Sequence, residues 1–302
     1  ALNIPKEIGE RIRASWDADE LSLYGRFDFI LAKDGTPKIL EFNADTPTSL
    51  LEASVIQWQW KEDVFPECDQ FNGIHEGLVQ SWKDIFPKKG EIYFAGALEN
   101  NEDTGTLQYL ASTAMEAGFS TRVLDMQALD LQNGRFFDPA GELVNRCFKL
   151  YPWEWMVDES PDGCLAEMEW LEPIWKLVMS NKAILATLYE LFPDSPYVLP
   201  CYLSRPRSGL FCKKPVFSRE GHNVSVVDIR DWEEYVRIAE TEGDYNTGAY
   251  VYQEYVEPTV YSGRYPVIGS WIIGGEAAGI GIRENRMEVT DNLSEFVPHI
   301  IG

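Results

Sequence analysis

Two carboxylates and an amide fall on alternating positions of the run from Tyr24 to Asn43, YGRFDFILAKDGTPKILEFN: Asp28 before a central Asp34-Gly35, Glu41 and Asn43 after it. Asp34-Gly35 between two alternating stretches predicts a two-residue hairpin turn, since both residues tolerate positive φ. That turn sets Asp28 opposite Glu41 and Arg26 opposite Asn43, with Phe27, Phe29, Leu31, Leu40 and Phe42 on the other face as core. Carboxylates directly across a strand pair repel; about 4 kcal/mol acts between unit charges about 4 Å apart at an effective dielectric of about 20. A divalent cation reverses that sign, and Asp, Glu and Asn supply the hard oxygen donors that Mg²⁺ takes while leaving positions for phosphate oxygens. The other reading is a solvated hairpin face compensated by Arg26. A three-residue turn would break the register on which the metal reading rests.

Further polar groups stand where anions bind. After Asn43, Thr46 as N-cap and Pro47 at the first helical position predict a helix start, and Thr46, Thr48 and Ser49 either receive an anionic substrate group or simply cap. Lys214 shares an apolar strand face with Cys212 and Val216, where an ammonium needs an anion. The loop Ser218 to Val224, with Ser218, Glu220 and Gly221, either closes backbone amides over phosphates or is an ordinary hairpin turn. Gln253, Glu254, Tyr255 and Val256 end an apolar strand, as an adenine-edge reader or a polar edge strand. Arg283, at a strand end, either clamps phosphate or pairs with an acid. Neither GxxxxGK[ST] nor GxGxxG is present, which sets aside P-loop and Rossmann sites.

The elements that must position these groups are an α/β (α+β) set. Residues 89–98 and 120–125 read as strands around a helix from Thr104 to Gly118, a βαβ unit. Helical patterns follow at Leu165 to Leu177 and Lys182 to Leu191. Strand runs then dominate: Gly209 to Phe217, Asn223 to Val227, Ala249 to Val256, Val267 to Ile273 and Ala277 to Ile282. A soft boundary falls near 152–163.

Composition narrows the classes. With 10 Trp, 14 Tyr and 15 Phe the chain can bury enough apolar area to fold. Its 26 basic against 49 acidic residues give a net charge of −23, which repels phosphate backbones and argues against nucleic acid; the charge attracts cations or solvates the surface. No apolar stretch approaches a membrane span and no leader pattern is visible, so no membrane partner and a cytoplasmic location are expected. Five scattered cysteines without CxxC, and three His, argue against a disulfide scaffold or zinc site. The chain opens without Met, and an upstream segment is expected.

Arg26-Phe-Asp-Phe, Glu41-Phe-Asn-Ala-Asp-Thr-Pro-Thr-Ser49, Leu150-Tyr-Pro-Trp-Glu154, Ser180-Asn-Lys182, Lys214-Pro-Val-Phe-Ser-Arg-Glu-Gly-His-Asn-Val224, Gly269-Ser-Trp and Gly279-Ile-Gly-Ile-Arg-Glu284 occur in this order. Together they resemble the synthetase domain of the glutathionylspermidine synthase family, most closely its stand-alone acid–amine ligase-like members, across essentially the whole chain. The resemblance implies a permuted, glutathione synthetase-like ATP-grasp domain over 1–302, with a metal and substrate part at 1–151 and an ATP-binding part at 164–302. It implies ATP and Mg²⁺ as cofactors and small-molecule acid and amine substrates, such as a glutathione-like peptide and a polyamine.

Position by position, the resemblance gives Asp28, Glu41 and Asn43 to Mg²⁺ and Lys182 and Lys214 to ATP phosphates. Ser218, Glu220 and Gly221 fall in its glycine-rich loop, and Gln253, Glu254, Tyr255 and Val256 border adenine. Arg26 and Arg283 would steady the transferring phosphoryl group, and Glu102 and Asp103 are candidates for the amine pocket. The implied reaction is ADP-forming amide synthesis through an acyl phosphate. The Cys-dependent amidase domain of bifunctional members is absent from this sequence, and Thr46-Pro-Thr-Ser49 replaces their serine-rich segment. The alternative is an ATP-binding module of the same fold that regulates a partner without ligation.

Overall fold

The computed structural model describes residues 4–219, 221–231, 235–243, 248–286 and 294–302. Glu220, expected in the glycine-rich loop, lies outside the described residues. Four sheets are present among them. The first is antiparallel, in the order Glu295–Val297, Glu276–Asn285, Tyr265–Ile273, Tyr24–Leu31, Pro37–Asn43. It splices the early hairpin onto strands from the far end of the chain. The second, also antiparallel, runs Cys201–Tyr202, Tyr250–Glu254, Gly209–Pro215, Ser225–Ile229, Tyr235–Glu240. The third is parallel, Ser120–Asp125, Glu91–Gly96, Arg146–Leu150, Glu169–Leu171, and a small three-stranded sheet covers residues 130–144.

The βαβ unit is present: Glu91–Gly96 pairs in parallel with Ser120–Asp125 across the helix Asn101–Glu116. That helix buries Leu107, Leu110, Ala111 and Ala114, the expected face, in one core with Trp82, Phe94, Phe148 and Trp271. This core joins the parallel sheet to the first sheet. A second core gathers Tyr93, Trp153, Met156 and Trp170, and a smaller one seats Leu185, Val216 and Val251. Among the described residues no helix is long and apolar enough to cross a membrane. All five cysteines are free thiols.

Four local expectations are corrected. The helix expected over Leu165 to Leu177 does not form: only Lys176–Ser180 is helical there, and Glu169–Leu171 is a strand that pairs with Arg146–Leu150 through Cys147–Trp170 and Phe148–Leu171. A short apolar run fits either period, and an open sheet edge selects the strand. The two-residue turn is a three-residue loop. Ala32 and Thr36 close it through Ala32 N–H to Thr36 O at 2.9 Å, and Gly35 takes φ 83°.

The shorter register pairs Phe29 with Ile39, yet a bulge absorbs Leu40 and restores Asp28 opposite Glu41 and Arg26 opposite Asn43. Leu40 therefore lines the cleft instead of the core face. The aromatic face is also the less buried one: Phe27 and Phe29 are half-buried, whereas Arg26 and Asp28 are 4% and 2% exposed. Side chains from residues 182 and 283 fold over the polar face and shield it. Finally, the helix begins at Leu50, not at Pro47, and Ser49 adopts φ 65°. Residues 45–49 form an irregular loop, in which Arg26 donates to the Thr48 carbonyl and Arg219 to the Thr46 hydroxyl.

Candidate functional site

A cleft of about 390 Å³ opens where the polar face of the hairpin meets the second sheet. Its wall collects Arg26, Asp28, Glu41, Asn43, Lys182, Lys214 and Arg283, side chains from both ends of the sequence. Gln253, Glu254, Tyr255 and Val256 line it, as do Gly221, Thr46, Thr48, Glu102 and Asp103. Ser218 does not. It borders a smaller adjoining cavity of about 30 Å³, and its backbone carbonyl accepts from Lys182 Nζ at 2.7 Å. Ser49 lines neither cavity.

The acids are not left to repel one another. Arg26 grips Asp28 in two-pronged fashion, Nε to Oδ1 at 2.6 Å and Nη2 to Oδ2 at 2.9 Å, and Arg283 adds a bond to Oδ2 at 2.7 Å. Lys182 Nζ lies 3.0 Å from Glu41 Oε2. Asn43 Nδ2 donates to Asp28 Oδ2 at 3.2 Å and to Glu41 Oε1 at 3.4 Å, so the amide stands between the two carboxylates, and a half-turn of its plane presents its oxygen to them. Lys214 donates to Gln253 Oε1 at 2.7 Å and to the Leu40 carbonyl at 3.0 Å, while Gln253 Nε2 donates to the Ile39 carbonyl at 2.9 Å.

Electrostatics follow this arrangement. Burial would raise the Glu41 carboxyl, but Lys182, Lys214 and Arg26 outweigh it and hold the group at about 2. Burial would lower Arg26, yet the Asp28 charge raises it above its ordinary value. Arg283 is lowered, by burial first and by its neighbour Arg26 second. Around Asp28 and Glu41 four cations stand against two carboxylates, a local excess of positive charge, while Glu102, Asp103 and Glu254 place the balancing acids elsewhere on the cleft wall. The donor set of Asp28, Glu41 and Asn43 fits Mg²⁺, which accepts few protein ligands when phosphate oxygens complete its shell. Among the described residues no group of three or more His, Cys, Asp or Glu offers a competing metal site.

Beneath the cleft lies a layer for which sequence reasoning proposed no role. Asp45, 1% exposed, accepts from Lys149 Nζ at 2.7 Å and from the Trp153 N–H at 2.8 Å. Glu172 accepts from the Ser22 hydroxyl and the Leu23 and Tyr24 amides, and Lys176 Nζ donates to the Tyr24 and Ala44 carbonyls. These pairs fix the open end of the hairpin, where the first strand begins and the second ends. Asp45 and the Leu150 to Glu154 segment stand in recognisable motifs, and Glu172 and Lys176 stand four residues apart. Nothing in the local pattern told that they are buried.

The architecture is that of glutathione synthetase-like, ATP-grasp-type proteins. A candidate gamma-glutamylcysteine synthetase from Methylobacillus flagellatus KT matches with a TM-score of 0.60 at 10% identity, over 97% of this chain and 84% of that one. A glutathione synthetase-like effector from Globodera pallida matches with a TM-score of 0.55 at 11% identity, over 99% and 88%.

The chain belongs to the glutathionylspermidine synthase preATP-grasp family, which it matches over residues 1–302. A candidate acid–amine ligase of Haemophilus influenzae is 39% identical over 95% of this chain and 77% of its own length. The trypanothione synthetase of Crithidia fasciculata is 28% identical over 98% of this chain. The bifunctional glutathionylspermidine synthetase/amidase of Escherichia coli is 26% identical over 99%. The chain spans 50% and 53% of the length of these last two. Acid–amine ligases and synthetases are thus the enzyme class to which its relatives belong, and ADP-forming C–N ligation is consistent with them.

Proposed function

We propose that the chain joins a carboxylic acid to an amine at the expense of ATP, through an acyl phosphate. One observation carries this reading: Asp28 and Glu41, paired across the hairpin, face Arg26, Lys182, Lys214 and Arg283 in one sheltered cleft. Residues 1–151 supply the metal and acid side, and residues 164–302 the nucleotide side. Asp28, Glu41 and Asn43 would hold Mg²⁺, which supplies Lewis-acid charge at phosphate oxygens.

The other steps use this chain's own groups. Lys182 and Lys214 take the phosphate oxygens, with Gly221 and its neighbours supplying backbone amides, and Gln253 to Val256 border the base. Arg26 and Arg283 turn toward the phosphoryl group as the substrate carboxylate attacks in line, absorbing charge that spreads over its equatorial oxygens. The amine then attacks the acyl carbon, phosphate leaves, and the amine proton passes to solvent or phosphate. Water must be kept out between these steps.

The finer reading is a glutathione-like peptide as acid and a polyamine as amine. It is supported by the relatives' substrates as named and by Glu102 and Asp103 on the cleft wall, acids suited to a cationic amine. The test is an ADP-release screen crossing glutathione, short peptides and amino acids with polyamines and amino acids, with Mg²⁺ present or chelated. Amide formation with stoichiometric ADP is expected for at least one pair. Nucleotide hydrolysis that ignores both acid and amine would overturn ligation in favour of a nucleotide-binding module.

A further inference from the structure

Two neighbouring residues of the loop that follows the strand Pro37–Asn43 each hold something different. Asp45 accepts from the Trp153 N–H, and the hydroxyl of the next residue, Thr46, accepts from Arg219, which also donates to Glu154 Oε1 at 2.7 Å. Residues 45 and 46 are thereby tied to 153 and 154 by two rungs. The first is sealed: Asp45 and Trp153 are 1% and 0% exposed. The second is not, the Arg219 and Glu154 side chains being 27% and 15% exposed.

The second rung also carries a passenger. Arg219 directly follows Ser218, whose carbonyl is held by Lys182, and it precedes Gly221, which lines the cleft. The Arg219 guanidinium carbon sits 5.7 Å from the centre of the Trp155 ring. The pair is part-buried, and solvent reaches it more readily than the sealed rung beneath it.

We propose that Glu154 is a positioning residue: through Arg219 it holds the backbone of Ser218 and Arg219 at the edge of the cleft that Arg219 and Gly221 line. This rests on the ligase reading for its consequence, not for its existence. Where that backbone is loose, water reaches the acyl carbon, its bond to the phosphate oxygen breaks, and acid and inorganic phosphate are returned without amide. Glu154 does not touch the reacting atoms in this account, and its influence passes entirely through the guanidinium.

Two measurements on the whole chain test it. In Glu154→Gln, which keeps the shape and removes the charge, tryptic cleavage after Arg219 is expected to rise by up to about fivefold, the loosening a part-exposed ion pair controls. Thermal unfolding should stay unchanged, and Glu154→Asp should recover part of the protection. In the ligation assay, amide formed per ADP released should fall in Glu154→Gln with the KM for amine preserved. Unaltered cleavage in both Glu154→Gln and Glu154→Ala, or faster cleavage with full coupling, overturns the proposal. If the parent chain ligates nothing, the ligase reading fails, and the proteolysis arm still decides whether Glu154 holds that backbone.

Discussion

Arg283 reaches over the intervening Tyr265–Ile273 strand to bond Asp28 at 2.7 Å, although 255 residues separate the two in sequence. On the intervening strand the register partner of Asp28 is Gly269. A Cβ there would lie 2.7 Å from Arg26 Cδ, so the absent side chain is what lets Arg26 lie flat across the sheet.

Gly269→Ala should therefore act on the cleft without touching a ligand. The added methyl would meet the Arg26 stem, so the guanidinium would lose its alignment with Asp28 and the Thr48 carbonyl. ADP release is expected to fall on the order of a hundredfold, the cost of an approximately ångström-scale misplacement. Circular dichroism should be unchanged. Parental activity in a folded Gly269→Ala variant would remove Arg26 from the reaction.

Glu41→Gln and Lys214→Ala should each lower Mg²⁺-dependent ADP release by about two to three orders of magnitude, the range for losing one electrostatic contact in a sheltered site. Both variants are expected to fold. Full activity in both would leave the assigned cleft without a role.

The low Glu41 value also sets a pH signature. Its folded value of about 2 is below the ordinary 4.5, so its contribution to stability is present above about 4.5 and lost as pH falls toward about 2. Denaturation midpoints of the parent should drop across that window, and Glu41→Gln should flatten the drop. Identical acid profiles for the two proteins would show that Glu41 is not held by the lysines.

Mg²⁺ and nucleotide should bind with positive coupling. Lys182 covers Glu41, while Arg26 and Arg283 cover Asp28. Phosphates that draw these cations away would free the carboxylates. Calorimetry with a non-hydrolysable ATP analogue is expected to show Mg²⁺ binding about tenfold or more tighter than without it. Equal affinities would contradict this exchange.

The sealed layer makes a stability prediction. Lys149→Met leaves Asp45 buried without its cation, at a cost of about 3–5 kcal/mol in urea unfolding. Adding Asp45→Asn should recover much of that loss, since the uncompensated charge and not the missing contact is the main expense.

The alternation around Asp34-Gly35 made the Asp28–Glu41 pairing legible, and the pairing survives although the turn is one residue longer than expected. Two offsets cancel there, the loop and the bulge at Leu40, and a bulge leaves no local mark when its residue is apolar. The burial of Arg26 was not legible, because it depends on Arg283 and Trp271 folding over the strand from residues more than two hundred positions away. The same reason hid the strand Glu169–Leu171: its partner edge, Arg146–Leu150, exists only once the parallel sheet has formed. The start of the helix at Leu50 was misjudged because Thr46 and Thr48 spend their polar groups on arginines instead of on a cap.

The splice of the early hairpin onto the strand Tyr265–Ile273 has a consequence for synthesis. While the polypeptide is still emerging from a ribosome, Asp28 has already been made and Arg283 has not, so the cleft is completed only once residue 283 has been added and released. Until then Asp28 has Arg26 for a partner, and the hairpin edge that Tyr265–Ile273 later covers stays open.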